Sequence, residues 1–130
     1  MKNISKIFLF AVLTIAVSAC STCKVTTDNQ IKEIQFGRGG GFANQIEEYS
    51  LNRKGQLCKN GKIIGHASCE DVERIFIMAD AIDTPIYEPD NFYWFIEVKG
   101  KATQKYLWGG SAKVDRSLKN LYNELNNLVK

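Results

Sequence analysis

Phe92-Tyr93-Trp94-Phe95-Ile96-Glu97-Val98, then Lys99-Gly100-Lys101, then Ala102 to Trp108, is the stretch whose reading decides the fold. Two runs rich in aromatic and β-branched residues flank a Gly-centred turn, which predicts a β-hairpin. Alternation puts Phe92, Trp94, Ile96 and Val98 on one face of the first strand and Tyr93 and Phe95 on the other. Apolar residues on both faces predict a central strand covered on both sides. With the turn about Lys101, Trp94 and Trp108 face each other across the hairpin, with Tyr93, Phe95 and Tyr106 nearby. Two readings of the tryptophans are open: cross-strand pairing in the core, or an exposed aromatic strip for a protein or glycan.

On the carboxyl side, Gly109-Gly110 turns the chain, and Val114, Leu118, Leu121, Tyr122, Leu125 and Leu128 recur at three- and four-residue spacing, predicting a final amphipathic helix. On the amino side, Pro85 to Pro89 reads as a loop. Before it, Val72, Ile75, Phe76, Ala79 and Ile82 form the buried stripe of a helix that ends at Asp83-Thr84-Pro85. Ser68 with Asp71 reads as its capping box, and Glu70, Asp71 and Glu73 suit the positive end of the helix dipole. Further upstream, Asn60-Gly61 is a two-residue hairpin turn between a short strand through Leu57 and Lys62 to Gly65. Arg53-Lys54-Gly55 turns the preceding strand, marked by Ile46, Tyr49 and Leu51. Ile31 to Gly37 is the first strand, broken by Gly39, Gly40 and Gly41. The expected class is α+β: an antiparallel β-meander and hairpins, with two amphipathic helices packed on one face of the sheet.

The first residues are address rather than fold. Lys2 and Lys6 precede an eleven-residue apolar segment, Ile7 to Val17, too short to span a bilayer, which takes about 20 helical residues. Val17-Ser18-Ala19-Cys20 follows and resembles the lipobox of bacterial lipoproteins, which implies a diacylglycerol thioether on Cys20 and cleavage before it. The alternative is a plain secretory signal cut after Ala19. Residues 1–19 are thus the expected signal, 20–30 a lipidated cysteine with a polar flexible tether of roughly 15–20 Å reach, and 31–130 one domain. Ser21 is not aspartate, which by resemblance to enteric sorting rules implies the outer membrane. No acidic cluster resembling a surface-export signal follows Cys20, so the periplasmic face is expected.

Composition narrows the function. The full chain has 17 Lys and Arg against 14 Asp and Glu, and removal of Lys2 and Lys6 leaves the mature charge near neutral. Such a domain offers no long-range positive field, and no basic run or aromatic-basic motif of an RNA or DNA binder appears, so no nucleic acid is expected. Gly37-x-Gly39-Gly40-Gly41 invites a phosphate cradle, but a strand rather than a helix is predicted next and no Gly-Lys-Ser/Thr follows, so no nucleotide or other cofactor is expected. A glycine-rich loop joining two strands, or a backbone surface for a partner, remains. One histidine and no Cys-x-x-Cys argue against structural zinc, and no metal is expected.

With Cys20 lipidated, Cys23, Cys58 and Cys69 remain in a compartment that permits disulfides. Cys58–Cys69 is the preferred bridge, tying a hairpin to the start of a helix, and Cys23 falls in the tether. A Cys69 thiolate at a helix start with His66 as base is the alternative, alongside an inert buried thiol. Glu47 with Glu48, Glu70 with Asp71 and Asp80 with Asp83 are the paired carboxylates. Neighbours on a strand point to opposite faces, so Glu47 and Glu48 do not converge.

Phe36-Gly37-Arg38-Gly39-Gly40-Gly41-Phe42, then Tyr49, Leu51 and Gly55, Trp108-Gly109-Gly110, and Leu118 to Leu125 together resemble a group of small Bacteroidetes lipoproteins. The likeness spans most of the mature chain, in glycine and aromatic positions. It implies no reaction, and Ala43-Asn44 stands where the group carries Thr-Gly. The expected function is a non-catalytic, membrane-anchored protein-binding module, of which an inhibitor or immunity-type protein is the most concrete form. Its partner is an envelope protein, met by Arg38, Gly39, Gly40, Gly41, Phe42, Trp94 and Trp108. A small envelope hydrolase or a glycan-binding accessory protein is the alternative.

Overall fold

A computed structural model describes residues 22–130. The expected signal at 1–19 and the lipidation at Cys20 lie outside the described residues. The domain is α+β, a seven-stranded mixed sheet with two helices. The strands are β1 (Glu33–Gly40), β2 (Gln45–Asn52), β3 (Gln56–Lys59), β4 (Lys62–His66), β5 (Tyr87–Glu88), β6 (Phe92–Lys99) and β7 (Thr103–Gly109). Helix α1 (Cys69–Asp80) follows β4, and α2 (Arg116–Leu128) follows β7. The spatial order is β4-β3-β2-β1-β6-β7-β5, all antiparallel except β5, which runs parallel to β7. Among the described residues no helix is long and apolar enough to cross a membrane.

The meander and the aromatic hairpin form as the sequence predicts, and β1 joins them by pairing with both β2 and β6. Phe95 and Ile96, which point to opposite faces of β6, are both buried. Trp94 stands opposite Trp108 in the β6–β7 register. The loop expected at Pro85 to Pro89 contains β5, too short to carry a periodic signal.

The glycine run does not break the first strand. β1 begins two residues later than predicted and continues through Gly37 and Gly39 to Gly40. Side chains there would collide with the neighbours: a Cβ on Gly37 would overlap the Glu47 carbonyl, one on Gly40 the Asn91 carbonyl, and one on Gly39 the Tyr93 ring. Glycine permits this close approach of strands.

Register groups Ile34, Phe36 and Arg38 with Leu51, Tyr49 and Glu47 on β2, and with Val98, Ile96 and Trp94 on β6. Ile34, Phe36, Leu51, Val98 and Ile96 on this face are buried, as are Val72, Ile75, Phe76 and Ala79 of α1 and Leu118, Leu121 and Leu125 of α2. Tyr122 of α2 meets the Trp108 ring edge to face at 5.6 Å, and Tyr106 donates to the carbonyl of Ile82 just after α1. Ser68 caps α1 by accepting from the Asp71 N–H at 3.1 Å, whereas the Asp71 carboxylate turns to Arg74 rather than closing the capping box.

The segment predicted as a tether is part of the domain from Cys23 onward. Cys23, Val25, Thr27 and Ile31 are buried at alternating and closing positions. The Cys23 N–H donates to the Arg53 carbonyl at 2.8 Å, and the Arg53 guanidinium donates to the carbonyls of Val25 and Ile31. The Asp80 carboxylate accepts from the Asp28 and Asn29 N–H groups at 2.9 and 3.1 Å. The Asn29 side chain clasps both backbone groups of Ala102. Polar composition misled the reading, because these polar groups are consumed in hydrogen bonds while Val25 and Cys23 fill the core.

The disulfide is likewise not the one expected. Cys69 bonds to Cys23, closing a separation of 46 residues, and Cys58 is a free, half-buried thiol. Cys58 stands in β3 opposite Ser50, away from the start of α1 where Cys69 lies. A bonded Cys69 cannot be a nucleophile, which also removes the His66–Cys69 pair.

Candidate binding groove

The sheet end formed by the carboxyl end of β1 and the amino ends of β2 and β6 holds a groove of about 890 Å³. Arg38 and Trp94 are register partners in it, as are Arg38 and Glu47. Gly39, Gly40, Gln45, Ile46, Lys59, Phe92 and Tyr93 complete the sheet-borne wall, and the turns supply Asn60, Asp90 and Asn91. The Gly41 N–H donates to the Asn91 carbonyl at 2.9 Å, which fastens the β1–β2 turn to the strand entering β6. Gly41 has φ of 86° and Asn44 of 46°, left-handed values that suit these two residue types and turn the chain between β1 and β2. Phe42, at the tip of that turn, is fully exposed, and Phe92 and Ile46 beside it are mostly exposed.

A second, smaller groove of about 330 Å³ adjoins the first and shares Trp94 and Gly110 with it. Trp108, Val114, Lys119, Tyr122 and Asn123 line the rest. Two aromatic rings of the sheet thus lead from one hollow into the next. Trp108 itself is 6% exposed and belongs to the core, whereas Trp94 is half-buried.

The charge in the groove is organised around Glu47. Its carboxylate accepts from the Tyr49 hydroxyl at 2.6 Å and lies 3.6 Å from the Arg38 guanidinium. The Tyr49 hydrogen bond holds the Glu47 pKa below the ordinary 4.5, partial burial opposing and Arg38 assisting. The same hydrogen bond raises the Tyr49 pKa above 10, since losing that proton would leave two anions in contact. Lys59 sits 5.5 Å above the Tyr49 ring. Tyr122, whose hydroxyl donates to the Gly37 carbonyl, is raised chiefly by burial. Glu47 is therefore a fixed anion at neutral pH between two cations, suited to orienting a ligand.

Of the predicted contact residues, Arg38, Gly39, Gly40 and Trp94 line the main groove, Trp108 lines the smaller one, and Gly41 and Phe42 form the turn at the lip. The predicted set thus converges on one end of the sheet. Sequence reading weighed Glu47 only as a carboxylate paired with Glu48, and missed Tyr49, Lys59, Phe92 and Tyr122 as site residues. The signal for Glu47 was available in the register: once β1 is carried past Gly37, Arg38 falls opposite it. Glu48 points to the other face, as alternation requires. Among the described residues, no group of three or more His, Cys, Asp or Glu side chains could hold a metal ion. The chain matches no protein-family model and no curated protein.

Proposed function

We propose that this chain is a lipid-anchored envelope protein, attached through Cys20 to the outer membrane on its periplasmic side, that binds a segment of another envelope protein in the groove without catalysing a reaction. Both helices are read as covering the Ile34–Ile96 face, which leaves the distal sheet end for the partner. The observation that carries the reading is Phe42 and Phe92 standing exposed beside a groove whose floor holds Trp94 and the Arg38–Glu47 pair. Aromatic anchors beside paired charges are the makings of a protein-binding hot spot. An inhibitor or immunity-type role is the most concrete form of this reading.

A glycan is the second reading, favoured by the amides Gln45, Asn60 and Asn91 set around Trp94 and Phe92. A photo-crosslinking residue placed at Phe92 in the full-length protein, in its own envelope, tests the two. One dominant protein adduct, absent when the probe sits at Ile64 on β4, supports the protein partner. Adducts carrying sugar and no protein transfer the site to the second reading.

A further inference from the structure

Two residues, Ser21 and Thr22, separate Cys20 from Cys23, a span of at most about 11 Å of extended chain. Cys23 itself is immobilised by its disulfide to Cys69, its burial and its hydrogen bond to Arg53. The inference here rests on the lipid-anchor reading above. We propose that the pole of the domain around Cys23 seats on an anionic phospholipid surface, and that this contact holds the groove facing away from the bilayer.

The segment from Cys23 to Lys32 runs along one end of the sheet, from the β2–β3 turn at Arg53 to the β6–β7 turn, where the Lys101 N–H donates to the Asn29 carbonyl and that of Lys32 to Lys99. Six cations gather on this end: Lys24, Lys32, Arg53, Lys54, Lys99 and Lys101. The carboxylates that hydrogen bonds, register and the disulfide place there are Asp28, Glu33, Glu70 and Asp80, with Asp83 next nearest beside Gln104 and Tyr106. Asp80 is engaged with two backbone N–H groups, and Glu33 is the register partner of Lys99. The rest of the mature chain holds nine cations against ten carboxylates, so the positive excess lies at the lipid-proximal pole.

An excess this small would not find a membrane unaided. A two-residue tether makes the encounter intramolecular, and it holds the Cys23 end of the pole within about 11 Å of the headgroups, on the order of one Debye length, where each Lys or Arg is attracted by anionic lipid. A lipid chain and a basic surface together make a more stable membrane contact than either alone. The groove lies at the opposite end of β1, about 23 Å away along the seven steps from Glu33 to Gly40.

The test is amine labelling of the lipidated protein reconstituted in phosphatidylcholine vesicles with or without phosphatidylglycerol, read lysine by lysine by mass spectrometry. Phosphatidylglycerol is expected to slow labelling of Lys24, Lys32, Lys54 and Lys101 by about threefold or more, and high salt to restore it. Lys59 and Lys119, in the grooves, should label equally in both vesicles. In a Lys54→Glu, Lys101→Glu variant, altered at two exposed turn positions, the slowing at Lys24 and Lys32 should disappear. Lipid present on Cys20 with equal labelling of the proximal lysines in both vesicles overturns the seating alone. Absence of lipid on the Cys20 peptide overturns the anchor reading and the seating with it.

Discussion

Glu47 shows how one side chain can tune a surface groove. Its folded pKa is depressed, so its contribution to stability is complete above the unfolded value near 4.5 and is lost as pH falls through the lower folded value. The stability difference between the wild type and Glu47→Gln is expected to be modest, below about 1 kcal/mol for so exposed a group. It should be constant near neutrality and shrink on acidification below 4.5, measured as urea midpoints across pH. In the same variant the Tyr49 phenol should titrate closer to 10, read from phenolate absorbance. An unmoved Tyr49 titration would show that the 2.6 Å hydrogen bond does not set these values. The cysteines give a second contrast at this scale. Cys69→Ser opens a 46-residue loop and should cost about 4 kcal/mol, while Cys58→Ser, which breaks no bond, should leave the unfolding midpoint within about 0.5 kcal/mol of wild type.

Among the elements, β1 carries the most consequence, because it joins the meander to the aromatic hairpin. Gly37→Ala would drive a methyl group into the Glu47 carbonyl and should destabilise by about 2–3 kcal/mol, since backbone on a paired strand cannot step aside. Gly65→Ala on the edge strand β4 meets open space and should change stability by less than about 0.5 kcal/mol. Chemical denaturation of the two variants checks the pair, and equal losses would refute the close-approach account. The same strand explains where sequence reading stopped. Alternation in Phe92 to Val98, the Asn60-Gly61 turn and the helical stripe from Val72 were legible because each is a local period with flanking turn chemistry. The continuation of β1 was not, since its glycines act through neighbours distant in sequence: Glu47 and Asn91. The pairing of Arg38 with Glu47 follows from that one extension, so Glu47 was weighed against Glu48 and not as the partner of Arg38. Cys23 pairing with Cys69 was hidden for a related reason: Arg53, Asp80 and Asn29 anchor the segment 23–31 through contacts across roughly 20 to 75 residues of chain.

For the molecule as a whole, the proposed function predicts that the two tryptophans divide stability from recognition. Trp108→Ala should cost about 3–5 kcal/mol by emptying a core position against Tyr122. Trp94→Ala should keep most of the melting temperature and lose the crosslinked partner at Phe92, so a variant that loses both together would make Trp94 a core residue alone. The proposed anchor at Cys20 would put anchor, basic pole and groove in sequence along one axis, an arrangement that depends on the shortness of the tether. A ten-residue Gly-Ser spacer inserted between Ser21 and Thr22 would add an r.m.s. reach of roughly 17 Å, about twice the Debye length. It touches no hydrogen bond of the described domain, so thermal unfolding should match wild type. A fluorophore on Phe42→Cys, in a Cys58→Ser background, then reports the height of the groove above a vesicle. A single narrow donor-to-bilayer distance is expected for the native tether, and a broad, shorter-averaged distribution for the spacer variant as the domain tumbles. Identical distributions would mean that the domain samples all orientations from the start, and that the charge at its proximal pole does not orient it.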